Sequence, residues 1–86
     1  MERQSKGAGD EGRRERVLTV AQVRERPGYA EVMFHESARI YRLSRSNPKY
    51  KSALQELRGA AAERKPVRVR FVEPNGAAIE SVSRPQ

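Results

Sequence analysis

One segment of this chain, and only one, repeats its apolar residues with the period of a helix, and prolines fence it at both ends. Ser46-Asn47-Pro48 puts a good N-cap ahead of a proline at the first helical position, where a missing N–H does no harm. Tyr50, Ala53, Leu54, Leu57 and Ala61 then trace one apolar stripe, with Lys49, Lys51, Gln55, Glu56 and Arg58 on the remaining surface. Gly59 inside the pattern costs about 1 kcal/mol relative to alanine, so the helix is expected to weaken or end near it. Arg64 and Lys65 complement the dipole in the last turn, and Pro66 closes the segment. With one short helix available, the rest of the core must come from strands.

The flanking sequence supplies them. Val17 to Val23 is rich in β-branched residues and is stopped by Arg24-Glu25-Arg26-Pro27-Gly28. Tyr29 to His35 alternates, with Ala30, Val32 and Phe34 on one face and Tyr29, Glu31, Met33 and His35 on the other. After a tight connection at Glu36-Ser37, Ala38 to Leu43 places Ala38 and Ile40 on one face and Arg39, Tyr41 and Leu43 on the opposite one. Beyond the helix, Val67, Val69 and Phe71 alternate with Arg68 and Arg70. Pro74-Asn75-Gly76 suits a hairpin loop, and Ala77 to Val82 returns. Residues 1–16 are almost all charged, polar or glycine and read as a disordered tail, leaving 17–86 as a single small domain.

The element order is β-β-β-α-β-β in a chain of 86 residues with no cysteine, so neither disulfide nor thiolate metal site adds stability to a small core. No apolar run is long enough for a membrane helix or a signal peptide, which implies a cytoplasmic protein without a membrane partner. One helix cannot cover an open five-stranded sheet, whereas a bent, partly open barrel hides its own edges. Element order and lengths over 17–82 thus resemble the OB-fold, a five-stranded partly open barrel. The alternative is an open α+β antiparallel sheet with the helix packed on one face. The expected core is Val17 or Leu18, Val20, Val23, Val32, Phe34, Ile40, Leu54, Leu57, Val67, Val69, Phe71, Ile79 and Val82.

Catalytic signals are nearly absent. His35 is the sole histidine, Asp10 the sole aspartate lies in the tail, and Glu31 and Glu36 have opposite strand parity. No phosphate-loop motif or metal-ligand spacing occurs, so no enzyme, cofactor or metal is expected. Charge is the informative feature: the chain is +7, and residues 17–86 carry 13 basic against 7 acidic side chains. Arg39, Arg42, Arg45, Lys49 and Lys51 follow one another with Tyr41 and Tyr50 interleaved, and Arg64, Lys65, Arg68 and Arg70 form a second acid-free cluster.

The OB-like resemblance implies ligands on the face of strands two and three and in the loops joining strands one to two and four to five. Tyr29, Met33, His35, Arg39 and Tyr41 fall on the non-core face of that hairpin, with Arg24 and Arg26 in the first loop and Asn75 and Gly76 in the second. Aromatics that stack bases and cations that meet phosphates are what single-stranded DNA or RNA requires. The expected interface is therefore Arg24, Arg26, Tyr29, His35, Arg39, Tyr41, Arg42, Arg68 and Arg70. A protein-interaction or assembly module, as a homodimer or a subunit of a complex, is the alternative.

Overall fold

The computed structural model describes residues 14–85, so the expected tail lies almost wholly outside the described residues. The elements are β1 (Glu15–Arg26), β2 (Tyr29–Phe34), β3 (Ile40–Ser44), α1 (Tyr50–Glu63), β4 (Pro66–Phe71) and β5 (Ile79–Ser83). β1 thus starts two residues earlier and ends three residues later than the sequence pattern suggests, so Arg24 and Arg26 stand on the strand, paired with Glu31 and Tyr29, and not in a loop. The strands form one sheet in the order β3-β2-β1-β4-β5, every neighbouring pair antiparallel. The protein is mainly β with one helix between the third and fourth strands.

β1 makes this topology possible. Its first half, Glu15 to Thr19, pairs with β4, and its second half, from Val20 onward, pairs with β2. Between Val20 and Gln22 the register slips, leaving Ala21 as the extra residue of a bulge that sharpens the twist. Pro27-Gly28 then turns the chain in two residues. Proline supplies the negative φ of the second turn position, and Gly28 takes φ +87°, a conformation L side chains rarely adopt. The bent sheet brings its edges close without closing: β3 and β5 meet through a single parallel bridge, Arg42 to Ala78, where the Arg42 N–H donates to the Ala77 carbonyl at 2.8 Å.

Inside the curve lie Leu18, Val20, Ala30, Val32, Phe34, Tyr41, Leu43, Val67, Val69, Phe71 and Ile79, with Tyr50, Ala53, Leu57 and Ala60 from α1. Most of the expected core is here, and Val23, Leu54 and Val82 pack half-buried against it. Ile40 and Tyr41 exchange places relative to expectation. Ile40 is 50% exposed and Tyr41 1%, because the register Val32↔Tyr41 and Ala30↔Leu43 turns Tyr41 and Leu43 inward together. Burying two large side chains outweighs burying one. The Tyr41 ring meets Phe34 edge-on at 5.4 Å and Phe71 at 5.2 Å, and its hydroxyl has Ser37 Oγ at 3.0 Å. An aromatic residue with a partnered hydroxyl can be buried at little polar cost.

α1 runs straight through Gly59. A Cβ there would stand 3.2 Å from Arg84 Nη2, so the glycine leaves room for the arginine that bonds Glu56 at 2.7 Å and Glu63 at 3.0 Å. The helix stops at Arg64, a left-handed residue with φ +58° whose N–H reaches back to the carbonyls of Ala60 and Ala61. The last turn therefore holds Glu63 rather than the expected Arg64 and Lys65. At the other end the helix begins at Tyr50, with Lys49 rather than Asn47 at the N-cap and Pro48 outside it. Asn47, three residues ahead of Tyr50, closes a turn instead: its Oδ1 accepts the Lys49 N–H at 2.8 Å. Its Nδ2 donates to the carbonyls of Glu80 at 2.9 Å and Ile79 at 3.3 Å, fastening the helix entry to β5.

The β2–β3 connection is held by Glu36, whose carboxylate accepts both the N–H and the hydroxyl of Thr19 at 2.8 Å. Burial alone would raise its pKa, but the Thr19 hydrogen bonds outweigh it and set the group below its ordinary 4.5. A depressed folded-state pKa contributes stability that is full above the unfolded value and lost as pH falls through the folded one. Glu36→Gln should therefore be less stable than wild type at neutral pH. The gap should shrink as pH drops below 4.5, which denaturant midpoints measured across that range would read directly.

Candidate functional site

Strand parity sets an outward face on β1, β2 and β3. Register places Arg24 opposite Glu31 and Glu31 opposite Arg42, with Met33 opposite Ile40 beside them and Tyr29 opposite Ser44 at the turn end. Arg26 Nε lies 3.5 Å from Glu31, and the Arg42 guanidinium sits 5.1 Å above the Tyr29 ring. Where this face meets the sheet's unclosed seam, a groove of about 520 Å³ opens. Its walls are Gly28 and Tyr29 at the first turn, Arg42 and Ser44 of β3, Ser46 and Asn47, and Val72, Ala78 and Ile79 from the β4–β5 connection. Val72 and Ile40 are each half exposed, and Met33 is 37% exposed. The groove thus sets the apolar side chains of Val72, Ala78 and Ile79 beside the Tyr29–Arg42 pair.

Of the nine residues singled out from the sequence, four come together here: Tyr29 and Arg42 in the groove, Arg24 and Arg26 on the adjoining face. The other five go elsewhere. Tyr41 is in the core. Arg39 lies beyond the start of β3, where its Nη1 donates to the Asn75 carbonyl at 2.9 Å. His35 follows the far end of β2, six residues or about 20 Å along the strand from Tyr29, in a shallow hollow with Thr19, Ala21, Ala61 and Arg64. Arg68 and Arg70 stand on the outer face of β4 and are matched by carboxylates. Arg70 bonds Glu15 at 2.9 Å and lies 3.5 Å from Glu80, and Arg68 is 3.9 Å from Glu15.

The interleaving of arginine and tyrosine has an internal explanation. Each of the three tyrosines carries one arginine within cation–π range: Arg39 at 5.5 Å from Tyr41, Arg42 at 5.1 Å from Tyr29 and Arg45 at 5.6 Å from Tyr50. Such contacts are worth about 0.5–1 kcal/mol at exposed sites. They absorb much of the pattern that reads in sequence as a nucleic-acid platform. Val72 and Ala78, which shape the groove, carried no local signal, because only the meeting of β3 with the β4–β5 connection gives them a common cavity.

The fold and groove define a small β-rich module with one helix and a cleft at an open sheet seam. No protein-family model matches the chain, and no curated protein matches it. Among solved structures, the crystal structure of pro- protein-glutaminase shares the fold with a TM-score of 0.72 at 21% identity, over 81% of this chain and 24% of that one. The A47Q2 mutant of pro- protein-glutaminase gives a TM-score of 0.70 at 20% identity, with the same coverage. The chain spans about a quarter of the length of those proteins. At this identity the likeness is one of fold. Among the described residues no helix is long and apolar enough to cross a membrane.

Proposed function

We propose that this chain is a non-catalytic protein-binding module whose seam groove takes an extended segment of a partner polypeptide. The observation that carries this reading is the groove itself, an apolar cleft with Val72 and Ala78 on one side and the Tyr29–Arg42 pair on the other. Apolar side chains fit its floor, and a carboxylate of the incoming segment fits Arg42 and Arg24, for which the described residues offer no ion pair within 4 Å. The fold relatives are consistent with it: there the fold accounts for a quarter of a pro-form of an enzyme that, by its name, acts on protein. Catalysis is disfavoured by chemistry within the chain. There is no cysteine, and the lone His35 has as its neighbour Glu36, both of whose oxygens are engaged by Thr19.

Single-stranded nucleic acid is the second reading, favoured by Tyr29 as a stacking surface ringed by Arg24, Arg26 and Arg42. One experiment separates the two. Peptides selected from a displayed library and a labelled oligothymidylate are each titrated into the ¹⁵N-labelled chain at low and near-physiological salt. The protein-binding reading expects peptide-induced shifts at Tyr29, Arg42, Val72 and Ala78 that persist as salt rises and vanish in Tyr29→Ala. Oligonucleotide binding at the same residues, collapsing with salt, would replace it with the nucleic-acid reading. Selection that returns no peptide seated in the groove would overturn it as well.

A further inference from the structure

A second pocket lies on the other side of the β4–β5 connection from the groove. It is about 220 Å³, below the roughly 300–1,000 Å³ of sites for larger organic ligands, and is bounded by Arg16, Glu36, Ser37, Arg39, Tyr41 and the Pro74-Asn75-Gly76 turn. Arg16 is the unusual member. It alternates with Val17 on β1 and so shares the inward face with Leu18 and Val20, yet it carries a full charge. Arg16 is half-buried there, and a half-desolvated cation gains from a partner. Among the described residues Arg16 has no carboxylate within 4 Å, and its hydrogen-bond contact is the Tyr41 hydroxyl at a long 3.5 Å. Most of its five N–H donors are thus uncommitted.

Arg39 reaches the same pocket from the β2–β3 connection, tied to the Asn75 carbonyl and lying over the Tyr41 ring. Two guanidinium groups therefore converge across one phenol. Ser37 Oγ, 3.0 Å from that phenol's oxygen, adds a hydroxyl to the wall. Glu36 also lines the pocket, but both of its oxygens are taken by Thr19, which leaves the arginines as the groups free to receive a ligand.

We propose that this pocket binds a phosphoryl dianion, gripped between Arg16 and Arg39 with Ser37 as a further donor. Arginine forks match phosphoryl oxygens in geometry, and a dianion supplies the countercharge that the inward-facing Arg16 lacks. The size suits a phosphate group, with whatever carries it left outside the pocket. Inorganic phosphate and a phosphorylated side chain present the same chemistry here.

The test is a titration of the full chain with inorganic phosphate and, separately, with O-phosphoserine, against chloride at matched ionic strength. Arginine Nε–H and backbone resonances are followed by NMR. Saturable shifts centred on Arg16, Arg39 and Ser37 are expected, and Arg39→Gln and Arg16→Gln should each weaken binding about 10- to 100-fold, the loss of one charge-assisted contact. Equal affinity for the two probes would assign the pocket to the free anion, and tighter binding of O-phosphoserine to a phosphorylated chain. Arg39 is exposed, so Arg39→Gln keeps the test sound even if Arg16→Gln perturbs β1. Shifts that fail to saturate, or spread equally to Arg24, Arg45 and Arg68, would overturn the proposal, as would undiminished binding in Arg39→Gln.

Discussion

Tyr41→Ala should remove about 3–5 kcal/mol of stability, the loss typical of truncating a fully buried aromatic residue. Small domains have roughly 5–15 kcal/mol in total, so most of the variant would be close to its unfolding midpoint under mild conditions. The reason is position: Tyr41 bridges Phe34 of β2 and Phe71 of β4 at the centre of the curved sheet. Tyr41→Phe keeps both ring contacts and loses only the hydroxyl contacts to Ser37 and Arg16, so about 1 kcal/mol is expected. Urea midpoints of the two variants, with Ile40→Ala as a comparison, give a sharp check. If Tyr41 were on the outer face, the ranking would invert and Ile40→Ala would be the damaging change.

Asn47→Ala should be the most disruptive polar substitution, at about 2–3 kcal/mol, because one side chain performs two tasks. Its oxygen caps the chain at Lys49 and its nitrogen holds the carbonyls of Ile79 and Glu80. Asn47→Asp retains the acceptor for the Lys49 N–H but sets a carboxylate oxygen against the carbonyls of Ile79 and Glu80, so it should recover little of the loss. The two variants also differ in where the fold loosens. Hydrogen exchange of the Arg42 amide, which bonds Ala77 across the seam, should quicken in both, while amides in the middle of β4 change far less. Uniform acceleration through the sheet would mean that Asn47 contributes only to global stability and does not hold the seam.

The helix was legible because its signals are local. The stripe from Tyr50 to Ala61 needs only neighbours a few residues away and recurs in the structure, with Ala60 joining the buried face, whereas the entry shifts by two residues: Pro48 stands before the helix and Lys49 takes the N-cap position without a side-chain hydrogen bond. β2, β4 and the Pro27-Gly28 turn were legible for the same reason. β3 was not. A strand of five residues sets Tyr41 and Leu43 on one face and Ile40 with Arg42 on the other, and so short an alternation leaves its register to the partner strand. The choice falls to the pairing with β2, where Val32 and Ala30 fix which side of β3 faces the core. That one inversion moved Tyr41 from the expected interface into the core and turned Ile40 outward.

By itself the sequence determined the order of elements, the single helix, most of the core and the positive charge of the folded part, all set by periodicity and composition within short windows. Only the tertiary structure decided which charges are spent and which remain. Arg68 and Arg70 are matched by Glu15 and Glu80 on the neighbouring strands, whereas Arg16 and Arg39 meet around Tyr41 with no ion pair within 4 Å among the described residues, the carboxylate of Glu36 beside them being engaged by Thr19. The groove arises in the same way, from β3 approaching the β4–β5 connection across more than thirty residues of chain. Contacts of that range depend on how a twisted sheet curls, and no pattern of neighbouring residues encodes them.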